Sequence, residues 1–369
     1  MYAYVTPPFF GLWMSECYTE EGATREKAEQ LILYGRIVEQ TIDRLHSARF
    51  LKELVLTGGS VPLAMVRKRL EAHDGGTRAP VLLVHGFGQN RYAWHLPARS
   101  VANHLASAGF DVFNLDLRGH GRSRHFGARG PRRVDDYIRE DLPQAVEEVQ
   151  AQSGGRPVFL VGHSLGGLVS YAAAPGLAGA IAGIASIGSP YHFARGSISL
   201  QAVSMFFEAM RRARVPRVTM GVPLRPVSLF MRGIRRVADS PLYPFPLRGW
   251  HAGALEPHVL DQHLQLAFDR FGVEEVRNMF EWASSRRFGG RDFDYASRFE
   301  AMDVPLLVLA GANDDLAPPA SVRPGYERSR SRDRTYRVAP LGHIDLLVGR
   351  DAPSTTWPVL DEWLLRRVA

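Results

Sequence analysis

Five short apolar runs, each followed within two residues by a glycine or an aspartate, constrain this chain more than any other feature. They are Val81-Leu82-Leu83-Val84, Val112-Phe113-Asn114-Leu115, Val158-Phe159-Leu160-Val161, Ile181 to Ile187, and Val304-Pro305-Leu306-Leu307-Val308-Leu309. Apolar runs this short, without polar alternation, suit strands covered on both faces, as in a parallel sheet. Helix-length segments lie between the first four, at about 96–108, 134–150 and 165–174, with Pro143 placed to kink the second or start a new piece. Strand–helix alternation at this spacing predicts an α/β fold with a mostly parallel sheet flanked by helices. A last strand at 335–338 and a last helix at 359–366 complete the pattern. The 35 glycines and 24 prolines argue against an all-helical architecture, because so many punctuators would have to sit in loops.

After Pro190 the alternation stops and resumes only at Val304. The intervening stretch reads as helices, around Met205-Phe206-Phe207 with Met210, and at 259–271 and 273–283. The expected organisation is a lead-in at 1–77, the first part of an α/β core at 78–190, an inserted helical cap at 191–303 and the rest of the core at 304–369. In the lead-in, Leu31, Tyr34, Val38, Ile42 and Leu45 recur every three or four residues, which predicts a helix over 26–50. Residues 61–70 alternate loosely and suggest an antiparallel strand.

The formal charge of +7 comes from 45 basic and 38 acidic residues, and only three of the 45 are lysine. The arginines are scattered in pairs, which fits a solvated surface and not a nucleic-acid-binding stripe. Cys17 is the single cysteine, so no internal disulfide or CxxC metal site can form, and a cytoplasmic setting is expected. The aromatic start of the chain lacks a basic leader and a cleavage site. It is expected to pack on the body, with transient contact with a lipid surface as its other use. Nothing specifies the oligomeric state.

Chemistry concentrates at the ends of the predicted strands. Gly162-His163-Ser164-Leu165-Gly166-Gly167 follows an apolar strand and opens a helix. A tight strand-to-helix turn needs small residues two before and two after the serine, and it raises the hydroxyl clear of the surface. Ser164 is therefore the candidate nucleophile. Serine needs a base, and His343, in Gly342-His343 just past the last strand, is the candidate. Asp314 follows the strand at 306–310 and is the candidate acid that orients the base; the adjacent Asp315 is its rival. An oxyanion hole needs two positioned donors. The Leu165 N–H at the helix start is one, and the Phe87 N–H in His85-Gly86-Phe87-Gly88 is the other. His85 is expected to brace that loop. His163 and His120 read as structural, and Asp345 as a loop hydrogen-bonding group or a contact of the base. No metal or cofactor is called for.

The segments 85–88, Asp116-Leu117-Arg118-Gly119-His120-Gly121-Arg122-Ser123, 162–167, 311–318 and 342–343 resemble, in order, those of the α/β-hydrolases, over residues 78 to the end. That resemblance implies Ser164, Asp314 and His343 as a catalytic triad, with Phe87 and Leu165 as oxyanion donors. Asn278-Met279-Phe280-Glu281-Trp282 and His343-Ile344-Asp345 resemble the acid-lipase-like branch, which hydrolyses lipid and sterol esters. Epoxide and haloalkane hydrolases of this fold carry an acidic nucleophile and similar polyester synthases a cysteine, whereas this chain carries Ser164. The expected activity is hydrolysis of small-molecule carboxylic esters, apolar or lipid-like. Thioester hydrolysis or acyl transfer by the same triad, and non-catalytic binding on a hydrolase scaffold, are the alternatives. Phe206, Phe207, Met210, Phe230, Met231, Phe271, Met279, Phe280 and Trp282 supply apolar surface for the cap and its pocket.

Overall fold

A computed structural model describes residues 31–71, 76–213, 221–240, 249–285, 289 and 293–368. The aromatic start of the chain and Cys17 lie outside these. In chain order the strands are β1 (Ile32–Thr41), β2 (Ser47–Leu56), β3 (Ala64–Leu70), β4 (Pro80–Val84), β5 (Asp111–Asp116), β6 (Val158–His163), β7 (Ile181–Ile187), β8 (Gly221–Pro223), β9 (Arg270–Gly272), β10 (Leu306–Gly311) and β11 (Arg334–Ala339). Nine of them form one sheet in the order β1-β2-β3-β5-β4-β6-β7-β10-β11. The six from β5 to β11 run parallel, and β1, β2 and β3 add an antiparallel meander at one side.

The continuous apolar runs are explained by burial on both faces. Leu82 and Val84 of β4, Leu160 of β6, and Leu306 and Val308 of β10 enter one core cluster. Val81 and Leu83, Phe159 and Val161, and Leu307 and Leu309 enter the other. Successive side chains of a strand point to opposite faces, so neither face can carry a polar residue. Helices Leu142–Gln152 and Leu165–Ala173 cover the first face; Val101–Ser107 and Thr356–Leu365 cover the second. Pro143 does start a new piece: a π turn over Tyr137–Asp141 gives way to the helix Leu142–Gln152, with the proline in its first turn, where a missing N–H costs nothing.

The helix expected over 26–50 is not there: from Ile32 onward that stretch is a hairpin of β1 and β2, joined by a turn in which the Asp43 carboxylate accepts from the N–H groups of Leu45 and His46 at 2.7 and 3.0 Å. Tyr34, Val38 and Ile42 fit a period of two as well as one of 3.6, so spacing alone could not separate the two. The β-branched Ile32, Ile37, Val38, Thr41 and Ile42, with Gly35 in their midst, disfavour a helix. Ile32, Tyr34, Val38 and Gln40 are half-buried, while Leu33 and Ile37 face solvent on this edge strand. The expected strand within 61–70 is β3, antiparallel to both β2 and β5.

The insertion after β7 is helical. Ile198–Arg212 packs against Val273–Ser285, and Arg225–Gly233 against Pro257–Leu266. The helix expected over 259–271 ends at Leu266, because Arg270–Gly272 pairs instead with Gly221–Pro223 as a two-stranded ribbon.

Candidate active site

Chain connectivity reverses direction across the sheet between β4 and β6. From β4 the chain steps outward to β5, then returns past β4 to β6. The loops leaving the carboxyl ends of β4 and β6 therefore diverge, and an open α/β sheet places its binding crevice at such a point. Ser164 stands at the end of β6, with His85-Gly86-Phe87-Gly88 at the end of β4 beside it. A Cβ added to Gly86 would lie 3.1 Å from the Ser164 Cβ.

Ser164 has φ 54° and ψ −122°, a left-handed conformation that a side chain rarely adopts. Its neighbours explain how the turn closes. A Cβ on Gly162 would collide with the backbone of Gly166 and Gly167, and one on Gly166 with the carbonyl oxygens of Val84 and His85. The helix Leu165–Ala173 begins immediately after the serine, so the Leu165 N–H belongs to the first turn, whose amides have no partner inside the helix.

Asp314 and His343 arrive from β10 and β11. The His343 Nδ1–H donates to Asp314 Oδ2 at 2.7 Å, and both groups are buried. The other oxygen, Asp314 Oδ1, accepts from the N–H groups of Leu316 and Ala317 at 2.9 and 2.7 Å. Both carboxylate oxygens are thus held, and the ring orientation follows. Asp315 points to solvent. A Cβ on Gly188, at the end of β7, would fall 3.4 Å from Asp314 Oδ2 and 3.5 Å from His343 Nδ1, so glycine there leaves room for the pair.

Three residues brace this arrangement. His163 donates through Nε2 to the His343 carbonyl at 3.2 Å, and its ring centroid lies 4.6 Å from that of His343. Burial holds its pKa well below the usual histidine value, so the ring is neutral. His85 donates through Nδ1 to the Gly86 carbonyl at 2.9 Å and accepts at Nε2 from the Leu117 N–H at 3.1 Å, tying the β4 loop to the end of β5. Asp345 Oδ2 accepts from the N–H groups of Gly342 and His251 at 3.0 and 2.7 Å, which clamps the His343 loop to the insertion. Burial pushes the Asp345 carboxyl up to about 7. Asp345 makes the loop hydrogen bond expected of it, whereas its bond to His251 and the contact of His163 with the His343 carbonyl are long-range, and no sequence pattern announces them. His120 stacks edge-on against His85 at 5.1 Å and hydrogen-bonds the Tyr137 hydroxyl at 3.0 Å, a packing role.

Two large cavities lie among the described residues. One, of about 710 Å³, lies behind the β4 loop and is lined by Arg118, His120, Arg270 and Phe271; the Phe271 ring lies 5.3 Å from that of Phe87. The other, of about 780 Å³, is lined by Leu168 on the helix that follows Ser164 and by residues of the insertion, among them Phe193, Arg195, Met205, Glu208 and Trp282. Neither is lined by Ser164 or His343. Met279 and Phe280 are packing residues, buried like Trp282, whereas Phe206 and Phe230 are exposed. The side chains of Phe207 and Met210 lie outside the described residues. Among the described residues, no three His, Cys, Asp or Glu side chains group so as to hold a metal ion, and no helix is long and apolar enough to cross a membrane.

A reversing parallel sheet with a strained serine on its central strand-to-helix turn defines a fold class that comparison identifies directly. Residues 79–350 match the alpha/beta hydrolase fold family, and the chain belongs to it. The poly(3-hydroxyalkanoate) polymerase subunit PhaC of Haloferax mediterranei is 24% identical, over 89% of this chain and 69% of its own length. Lipase member K of Homo sapiens is 25% identical, over 75% and 78% respectively. Among solved structures, the monoacylglycerol lipase of Paleococcus ferrophilus superposes with a TM-score of 0.56 at 20% identity, covering 83% of this chain and 99% of that one.

Proposed function

We propose that this protein is a serine hydrolase that cleaves carboxylic esters of apolar acids or alcohols. The observation that carries the reading is the hydrogen bond from His343 Nδ1 to Asp314 Oδ2, in a loop that touches the residue next to the strained Ser164. With Nδ1 committed to Asp314, Nε2 is the nitrogen left to take a proton. In the proposed reaction it accepts the Ser164 proton as Oγ attacks the acyl carbonyl, and the amides of Phe87 and Leu165 receive the oxyanion. The imidazolium then protonates the leaving alkoxide. Water, deprotonated by the same nitrogen, hydrolyses the acyl-enzyme, while Asp314 stabilises the imidazolium and fixes the tautomer.

The cavity lined in part by Leu168, one helical turn past Ser164, is where the apolar part of the ester would extend. Each methylene buried there would strengthen binding by about 0.8 kcal/mol. A fluorophosphonate should label Ser164 covalently, and Ser164→Ala should abolish both labelling and p-nitrophenyl ester turnover. Turnover retained by Ser164→Ala overturns the reading.

Acyl transfer or thioester cleavage by the same residues is the second reading, and the likeness to a polyester polymerase subunit favours it. Product analysis with alcohol or thiol acceptors separates the two: free acid alone supports hydrolysis, and a new ester supports transfer.

A further inference from the structure

The chain contains three lysines, and two of them face each other across neighbouring strands. Lys52 of β2 stands directly opposite Lys68 of β3 on one side and Arg36 of β1 on the other. Residues directly opposite in antiparallel strands share a face, with Cβ atoms about 4.5–5.5 Å apart, and like charges so placed repel. Three cations thus form a row across the meander. Arg91 and Arg122 adjoin it, and together with Arg36 they are the charges that act on Lys52.

The reverse face of the same strands is built differently. There Arg67 pairs with Glu53 and with Asp111, the latter at 2.7 Å, and Arg69 pairs with Glu53 at 2.8 Å. On the cationic face, Arg91 is neutralised by the buried Asp116 at 2.7 Å, and Lys68 is buried against Asn103 and His95. No carboxylate pairs with Arg36, Lys52 or Arg122 among the described residues, and Arg122 Nε is buried without a hydrogen-bond partner. The rings of Tyr34 and Tyr92 lie against the guanidinium groups of Arg122 and Arg91, at 5.9 and 4.6 Å. Burial, followed by the three arginines, brings the Lys52 ammonium down to about 8. A solvated surface would let these side chains spread; the strand register gathers them.

We propose that the strand face carrying Arg36 and Lys52, with the adjoining Arg122, is a binding site for a phosphate-group dianion, separate from the hydrolase site. Three cations gathered on one face without a carboxylate partner suit a group with several terminal oxygens and a double charge, whereas a single carboxylate would be satisfied by one arginine fork. The phosphate can belong to a soluble phosphomonoester or to a lipid headgroup.

The test is calorimetric titration of the full chain with inorganic phosphate and with glycerol 3-phosphate, against sodium chloride at matched ionic strength, alongside co-sedimentation with phosphatidic acid and phosphatidylcholine vesicles. Saturable one-to-one binding of the soluble probes, weakened about tenfold or more by Lys52→Met and by the exposed Arg36→Ala, is expected. Lys52→Met should also raise the melting temperature in phosphate-free buffer, since it removes a repelled charge. Binding to phosphatidic acid vesicles alone, lost in both variants, assigns the phosphate to a lipid headgroup. Absence of saturable binding in both arms, or binding by both variants as tight as that of the parent, overturns the proposal. Ester turnover plays no part in these readouts, so their outcome is independent of the hydrolase reading.

Discussion

Ser164 offers a test in which the usual order of two substitutions reverses. At an ordinary position, exchanging alanine for glycine lowers stability by about 0.4–1 kcal/mol, because glycine has more freedom to lose on folding. Ser164 sits at φ 54° and ψ −122°, where a residue with a Cβ carries about 1–3 kcal/mol of strain. Ser164→Ala keeps the strain and Ser164→Gly releases it. The glycine variant should therefore be the more stable of the two by about 0.5–2 kcal/mol, the strain less the entropy. With a urea slope of about 3 kcal/mol/M, its midpoint should lie about 0.2–0.7 M higher. Equilibrium urea unfolding followed by circular dichroism measures this directly. A glycine variant less stable than the alanine variant would refute the claim that the serine turn is strained.

Asp314→Asn should lower kcat/KM for a p-nitrophenyl ester by about four orders of magnitude, because the amide favours the wrong imidazole tautomer. The exposed Asp315→Asn should stay within about twofold of the parent in the same assay. Burial pushes the Glu275 carboxyl up to about 8 from an ordinary value of 4.5. The folded protein therefore takes up a proton that the unfolded chain lacks, and stability is lost as pH rises from about 4.5 through 8. Glu275→Gln does not titrate, so its urea midpoint should gain on that of the parent between pH 5 and pH 9; a constant difference would contradict this. Gly166→Ala drives a methyl into the Val84 carbonyl and should cost about 2–3 kcal/mol, read from the same unfolding curves.

The parallel strands and the serine turn were legible in the sequence because their causes are local. Burial on both faces leaves no polar residue in β4, β10 or the Val158–Val161 part of β6, and a strand-to-helix turn this tight excludes Cβ atoms at 162 and 166 whatever lies around it. That Ser164, Asp314 and His343 each lie just past a strand of their own was equally readable. Other features depend on neighbours distant in the chain. Residues 32–41 carry a spacing that serves helix and strand alike, and only pairing with β2 made them a strand. The choice of Asp314 over Asp315, the grip of His163 on the His343 carbonyl, and the clamp of Asp345 on His251 arise where separate loops meet. The register of β1, β2 and β3 set Arg36, Lys52 and Lys68 in one row. Sequence specifies what each segment can be; which charges and hydrogen-bonding groups end up within a few ångströms of each other is decided by packing, because contact across strands is a property of register and not of spacing along the chain.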